Sequence, residues 1–127
     1  MIRPDMIGIV VQDMTAALRF YRILGLDIPA AADSESHVEI TANGYRIAWD
    51  TVEMMRGIVS DWVQPTGHRI SIAYRCERPT EVDAIYQRMT SAGYKGRKEP
   101  WDAFWGQRYA MVLDPDGNNV DLFAPLQ

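Results

Sequence analysis

The order of sequence patterns in this chain occurs twice, and an internal duplication limits the possible folds more than any local propensity does. In the first copy, the β-rich run 6–11 precedes Asp13, a helix-start residue, and then apolar residues at the three- and four-residue spacing of an amphipathic helix. In the second copy, the run 70–76 precedes a capping pattern at Thr80 and a helix of the same spacing. The two copies therefore predict two similar modules.

Glycine-containing turns end the corresponding segments of both copies. Gly25 and Gly93 stand where each helix is expected to end in a left-handed cap. Asn43-Gly44 and Asp116-Gly117 separate β-rich runs, and such pairs are strong signals for a hairpin turn. Strand, helix and hairpin thus recur in the same order, which predicts an α+β fold.

The length of 127 residues suits one domain, residues 1–127, and leaves no room for a second domain with its own core. We place module one at 1–50 and module two at 68–127. Between them, 51–67 loses the periodicity and is interpreted as a linker that can hold a short helix. A hydrophobic fraction of 47% excludes a disordered chain.

Composition also excludes several classes of partner. Thirteen Lys plus Arg against 17 Asp plus Glu give a net charge of −4 with no basic block, so nucleic acid is not expected as a partner. No apolar run reaches the ~20 residues of a membrane span, and the N-terminus lacks a signal-peptide pattern. We therefore expect no membrane association and a cytoplasmic location. The one cysteine, Cys76, agrees with a reducing compartment and is interpreted as a buried thiol.

Two such modules, with Phe20-Tyr21 before Leu24-Gly25-Leu26 and a late Asp-Pro-Asp-Gly-Asn turn at 114–118, resemble the vicinal oxygen chelate superfamily. That superfamily contains glyoxalase I, extradiol dioxygenases and bleomycin resistance proteins. The resemblance covers nearly the whole chain and implies tandem β-α-β-β-β modules that form a curved mixed sheet with a cleft. Within the superfamily, segments 47–53 and 105–110 are similar to the mitomycin-binding resistance proteins, which implies a homodimeric, metal-free drug-binding protein.

The resemblance also implies where a metal would bind, because enzymes of the superfamily use ligands on the first strand and the last hairpin strand of each module. Alignment of the two modules gives these positions as Met6, Ala48, Ser71 and Asp121. Only Asp121 is a credible ligand, and one carboxylate does not hold a divalent ion firmly. His37 and His68 fall on no equivalent position and are interpreted as rim or structural residues, with His37 kept as a candidate for ligand contact. We expect no metal and no other cofactor.

Flat aromatic side chains are the remaining candidates for a function. Trp101 and Trp105 lie in 99–106, which Pro100 and Gly106 indicate to be a loop, and loops often carry function. Trp105 is the preferred wall of a ligand site because the glycine after it permits close approach. For Trp101, packing against the module is an equal alternative.

Polar residues are expected around this aromatic site. Arg46 and Asp50 share strand parity with Ala48, whereas Trp49 points to the opposite face, so that a core position for Trp49 stays open. An apolar floor with a few hydrogen-bonding groups suits a drug-sized planar molecule. The predicted ligand-binding residues are Trp105, Trp101, Trp49, Asp50, Tyr109, Arg46, His37 and Asp121.

Two functions are compatible with these patterns. The favoured one is sequestration of a planar antibiotic or related aromatic metabolite, without turnover and without catalytic residues. Cys76 and Ser71 support this choice because neither has an evident His–Asp partner set for nucleophilic catalysis. The alternative is a glyoxalase-like lyase, a dioxygenase or another enzyme of the superfamily in which Asp121 acts as a general base.

Overall fold

A computed structural model of the protein describes residues 1, 3–67 and 70–126. His68 lies outside the described residues. The chain divides into two compact units, Met1–Pro65 and Thr66–Gln127, and each contains one mixed sheet and at least one helix. The predicted α+β fold class is confirmed. In the described part of the chain, no helix is long and apolar enough to cross a membrane.

The first unit is a three-stranded sheet with one main helix packed on it. Its elements are β1 (Met6–Val11), α1 (Met14–Leu24), a short 3₁₀ helix (Ala30–Ser34), β2 (His37–Ala42), β3 (Tyr45–Thr51) and α2 (Val52–Ile58). Strand β3 lies between the other two, parallel to β1 and antiparallel to β2. The α2 helix lies in the segment interpreted as a linker.

Helix α1 begins and ends at the predicted residues. The Asp13 side chain accepts a hydrogen bond of 3.0 Å from the Ala16 amide, which is the usual bond of a helix N-cap. At the other end, Gly25 has φ 129° and its amide donates to the carbonyl of Tyr21. A side chain would strain the backbone at this φ, so glycine is the residue suited to end the helix.

The core of the first unit lies between α1 and one face of its sheet. Leu18, Phe20 and Tyr21 of α1 are fully buried, and so is Trp49 of β3. The rings of Tyr21 and Trp49 lie 5.2 Å apart between centroids. The expectation that Trp49 contacts a ligand is therefore corrected, because strand alternation turns its indole into the core and leaves none of it exposed.

The second unit is a complete β-α-β-β-β module. Its elements are β4 (Ser71–Arg75), α3 (Pro79–Ser91), β5 (Gly96–Ala103), β6 (Gln107–Leu113) and β7 (Asn119–Pro125). The strand order is β4-β7-β6-β5, in which β4 and β7 are parallel and the other pairs antiparallel. In the first unit, the corresponding stretch between helix and hairpin contains the 3₁₀ helix Ala30–Ser34 in place of a strand.

The segment expected to be a loop before the last hairpin is mostly a strand. Residues 96–103 form β5, and only 104–106 form a turn. Pro100 is tolerated because β5 is the edge strand of this sheet and its pairing with β6 is irregular between Lys98 and Trp101. Trp101 thus lies on a strand and Trp105 in a turn.

Helix α3 begins one residue earlier than its predicted capping pattern. Pro79 occupies the first turn, and Arg78 is the cap residue without a side-chain hydrogen bond to the helix. Proline is well suited to this position because its φ is already helical and its missing N–H is not needed there. Thr80 is therefore a helical residue and not the N-cap.

The two faces of the second sheet differ in what covers them. Ala110, Val112 and Leu122 are buried on the face that packs against α3, where Val82 and Met89 are also buried. Alternation along β6 and β7 places Tyr109, Asp121 and the other odd-numbered residues on the face opposite α3. This opposite face contains the candidate site.

Candidate functional site

Five aromatic rings form a continuous group on the second unit, which we call the aromatic cluster. Its members are Trp101, Phe104, Trp105, Tyr109 and Phe123. The Trp105 ring centroid lies 6.0 Å from that of Trp101, 5.0 Å from Phe104 and 5.3 Å from Tyr109, all edge to face. Tyr109 stacks on Phe123 at 6.2 Å. These are the favourable geometries of aromatic pairs.

Strand register and one turn bring these rings together. Trp101 lies opposite Tyr109, and Tyr109 opposite Phe123, so that the three side chains share one face of the sheet. The turn at 104–106 is closed by Gly106, which has φ 89°. The Trp105 indole N–H donates to the Gln107 side chain at 2.8 Å, which fixes the orientation of the ring.

The aromatic cluster is exposed to an unusual degree for such large rings. Phe104 is 96% exposed and Trp105 48% exposed, whereas Trp101 and Tyr109 are half-buried. The Lys98 ammonium lies 4.8 Å from the centre of the Trp101 ring and covers part of that residue. Trp105 therefore offers the largest tryptophan surface of this group that a ligand can cover.

A buried carboxylate lies next to the aromatic cluster. The Tyr109 hydroxyl donates to Asp121 Oδ2 at 2.6 Å, and the Asn119 side-chain amide donates to Asp121 Oδ1. The Ser71 hydroxyl lies 3.5 Å from Oδ2. Desolvation, and secondly the bond to Asp121, raise the pKa of Tyr109, so this hydroxyl stays protonated at neutral pH and serves as a donor.

These residues do not fit the divalent ion that enzymes of the vicinal oxygen chelate superfamily hold. On the second unit the two implied positions are Ser71 and Asp121, and Asp121 already accepts bonds from neutral donors. On the first unit they are Met6 and Ala48, which offer no oxygen or nitrogen ligand. Among residues 1, 3–67 and 70–126, no three His, Cys, Asp or Glu side chains are placed to bind one ion.

The first unit carries an ionic network on the sheet face opposite its core. His37 hydrogen-bonds Asp50 through Nδ1 and Glu39 through Nε2, the latter at 2.9 Å. Arg46 bridges Glu39 and Asp5, at 2.6 Å each. The bond to Asp50, and secondly that to Glu39, raise the pKa of His37. Both ring nitrogens of His37 face carboxylates, an arrangement that only the imidazolium form satisfies fully.

Seven of the eight predicted site residues fall into two groups, one on each unit. Trp101, Trp105, Tyr109 and Asp121 adjoin one another on the second unit. His37, Arg46 and Asp50 belong to the network of the first unit. Five further members of these two groups were not predicted from the sequence: Phe104, Phe123, Asn119, Glu39 and Asp5. Strand alternation could have indicated two of them, because Asn119 and Phe123 are each two residues from Asp121 and therefore point to the same face of the sheet.

Comparison with known proteins identifies the family. Residues 3–122 match the model of the Glyoxalase/Bleomycin resistance protein/Dioxygenase superfamily. The chain therefore belongs to this superfamily, and the resemblance stated from the sequence is confirmed at that level.

Relatives and solved structures agree with this assignment. An uncharacterized protein of Mycobacterium bovis is 30% identical over 94% of this chain and 81% of its own length, and one of Mycobacterium tuberculosis is 30% identical with 72% of its length covered. A glyoxalase/bleomycin resistance protein/dioxygenase family enzyme from Burkholderia phytofirmans has a TM-score of 0.85 at 18% identity, covering 96% of this chain and 98% of that one. A glyoxalase-related enzyme from Fulvimarina pelagi has a TM-score of 0.83 at 21% identity, with coverage of 96% and 87%. At these identities the structures support the fold alone.

Proposed function

We propose that this protein binds a planar aromatic small molecule and sequesters it without turnover, in the manner of the mitomycin- and bleomycin-resistance type. The observation that carries the proposal is the exposed aromatic cluster, with Trp105 half exposed in a short turn. Contiguous groups of exposed apolar side chains are uncommon on protein surfaces, and where they occur they often mark a binding site. Superfamily membership is compatible with both binders and enzymes, so the proposal depends on the site and not on the fold.

The aromatic cluster is suited to binding because it is already ordered. Trp105 contacts three other rings and donates its N–H to Gln107, so contacts within its own chain fix its orientation. A side chain that is ordered before binding loses little conformational entropy when the ligand arrives. A flat molecule can therefore stack on the exposed part of Trp105 at low entropic cost.

The experiment that tests the proposal is a screen of planar antibiotics, including mitomycin C and a bleomycin, by tryptophan fluorescence. Binding compounds are expected to quench the emission saturably, and calorimetry then measures their affinity. N-acetyltryptophanamide, titrated in parallel, corrects for absorption of the exciting light by the compound. Absence of saturable quenching and of binding heat for all planar compounds at high micromolar concentration would contradict the proposal.

The alternative function is an enzyme of the same superfamily, and the polar group around Asp121 favours it. Asp121 accepts bonds from Tyr109 and Asn119, and a carboxylate held in this way can act as a general base. The two functions are separated by incubation of a bound compound with the protein followed by mass spectrometry. A product that forms with the parent protein and not with Asp121→Asn would establish turnover.

We also propose a homodimer, which the resemblance to dimeric drug-binding proteins implies. Large apolar side chains at the end of α2 and beyond it support the dimer, because Ile58 is 68% exposed and Val63 is 79% exposed in the single chain. Sedimentation equilibrium at micromolar concentration is expected to give twice the chain mass of 14.5 kDa. A monomer that binds its ligand at full affinity would exclude this assembly.

A further inference from the structure

Asp121 is a buried carboxylate whose hydrogen-bond partners among the described residues are neutral. Asp121 is only 5% exposed, and its side chain forms hydrogen bonds with Tyr109, Asn119 and Ser71. The ion pairs found in the described residues involve other acidic side chains, and none of them includes Asp121. A buried charge without a counter-charge is costly, and such groups usually have a cationic partner.

A second acceptor beside Asp121 also lacks a partner. Asn119 is 2% exposed, and its side-chain oxygen has no hydrogen-bond donor among the described residues. Because the Asp121 carboxylate only accepts, the NH₂ group of Asn119 must point toward it, which leaves the Asn119 oxygen for another donor. Buried acceptors of this kind are normally satisfied. The carboxylate and the amide oxygen together form an acceptor pair that suits N–H groups.

The acceptor pair lies on the same sheet face as the aromatic cluster. Tyr109 connects the two, since its ring contacts Trp105 and its hydroxyl donates to Asp121. On β4, the neighbours across from the acceptor pair are Ser71 and Ala73, both exposed and both small. The aromatic surface and the acceptor pair are therefore joined through one residue, and the distance between them is within the span of one drug-sized molecule.

We propose that the ligand is a planar aromatic cation, whose ring stacks on Trp105 and whose protonated amine or amidine donates to Asp121 and Asn119. The inference rests on the proposed binding function and adds the charge class of the ligand. Two cationic side chains lie on this face as well, Lys98 over the Trp101 ring and the exposed Arg75. Neither forms an ion pair with Asp121, so the carboxylate stays available to a ligand.

Three acridines of nearly equal shape test the proposal by calorimetry at one pH and one ionic strength. At neutral pH, 9-aminoacridine is a cation, acridine is neutral and acridine-9-carboxylate carries an anionic group. We expect 9-aminoacridine to bind roughly tenfold or more tightly than acridine, because charge-assisted hydrogen bonds are stronger than neutral ones. Acridine-9-carboxylate is expected to bind more weakly than both. Equal affinities for the three, or no binding of 9-aminoacridine, would overturn the inference.

Two variants assign the preference to the carboxylate. Asp121→Asn is expected to lower the affinity for 9-aminoacridine to that for acridine, with acridine itself bound as in the parent. Because Asp121 accepts internal hydrogen bonds, this variant is checked by thermal unfolding, and Tyr109→Phe provides a milder change that keeps the ring. Removal of the hydroxyl leaves the carboxylate with one donor fewer, so the preference for the cation is expected to be kept or increased. A preference that Asp121→Asn leaves unchanged, or that Tyr109→Phe abolishes, would overturn the inference.

Failure of this inference is distinguishable from failure of the proposed function. If Trp105→Ala weakens the binding of all three acridines but the parent shows no preference for the cation, the aromatic site stands and the charge class is wrong. If Trp105→Ala changes none of the affinities while a cation preference that depends on Asp121 persists, the carboxylate binds cations without stacking on Trp105. In that case the proposed stacking site is wrong.

Discussion

Replacement of Trp105 by alanine is the most direct perturbation of the proposed site. Trp105 is 48% exposed. An indole side chain has about 250 Å² of surface, so about 120 Å² is open, and a stacked ligand covers roughly half of that, or ~60 Å². At about 25 cal/mol per Å², this burial contributes ~1.5 kcal/mol, and the stacking geometry adds about 0.5–1.5 kcal/mol. The loss of ~2–3 kcal/mol corresponds to a roughly 30- to 150-fold lower affinity.

The assay for Trp105→Ala is calorimetry with the tightest-binding compound of the antibiotic screen, because fluorescence then reports only the three remaining tryptophans. The buried half of the ring contributes to folding as well, so we expect a free energy of unfolding lower by about 1–3 kcal/mol and measure binding well below the unfolding midpoint. Trp105→Phe is expected to keep part of the affinity.

Phe104→Ala is the matched control for this experiment. It removes a ring from the same turn, but that residue is 96% exposed. The centroids of the Phe104 and Trp105 rings lie 5.0 Å apart, in an edge-to-face arrangement. We expect it to change affinity less than Trp105→Ala. Folded Trp105→Ala that binds within about threefold of the parent, a difference below about 1 kcal/mol, would contradict a stacking role for Trp105. An equal loss in Phe104→Ala would assign binding to the tip of the turn instead.

Further predictions concern the framework and the titrating groups. Gly96→Ala places a Cβ against the end of the Tyr86 side chain, which must move aside, so we expect unfolding in urea to show a loss of about 1 kcal/mol, whereas Gly57→Ala, with nothing within 4 Å, is neutral or stabilising. The raised pKa of His37 means that its contribution to stability is complete below its ordinary pKa of 6.5 and is lost as pH rises through the folded-state value. In the parent, the free energy of unfolding is therefore expected to be higher below pH 6.5 than above the raised pKa of His37, by less than about 1 kcal/mol, and His37→Gln is expected to remove this difference. The same pH dependence of stability in His37→Gln would contradict this role of His37. Burial raises the pKa of Cys76 to about 11, so a thiol reagent at mildly alkaline pH is expected to react slowly until urea unfolds the chain, and rapid labelling of the folded protein would oppose this. Prolonged dialysis against a chelator is expected to leave both the unfolding midpoint and ligand affinity unchanged.

The sequence alone was sufficient where a feature depends on neighbouring residues. Asp13 and Gly25 mark the ends of α1 because caps are local hydrogen bonds and local backbone conformations. The turn at Asn43-Gly44 was predicted because it requires positive φ at both residues, observed as 53° and 81°, and asparagine and glycine tolerate such values best. The two positions that the family resemblance implies for a metal on the second module, Ser71 and Asp121, also lie next to each other, because strand parity and turn spacing carry over between copies of one module.

Tertiary structure decided the features that depend on distant residues. Residues 96–103 form a strand although Pro100 interrupts their pattern, because pairing with β6 supplies the hydrogen bonds that local propensity does not. Trp49 became a core residue because Tyr21 packs against it, a contact that spans 28 positions between residues 21 and 49 of the chain. The three neutral hydrogen-bond partners of Asp121 lie on three different strands, β4, β6 and β7. Side chains that meet only when strands pair leave no local pattern, so the chemistry of this site is a property of the folded chain.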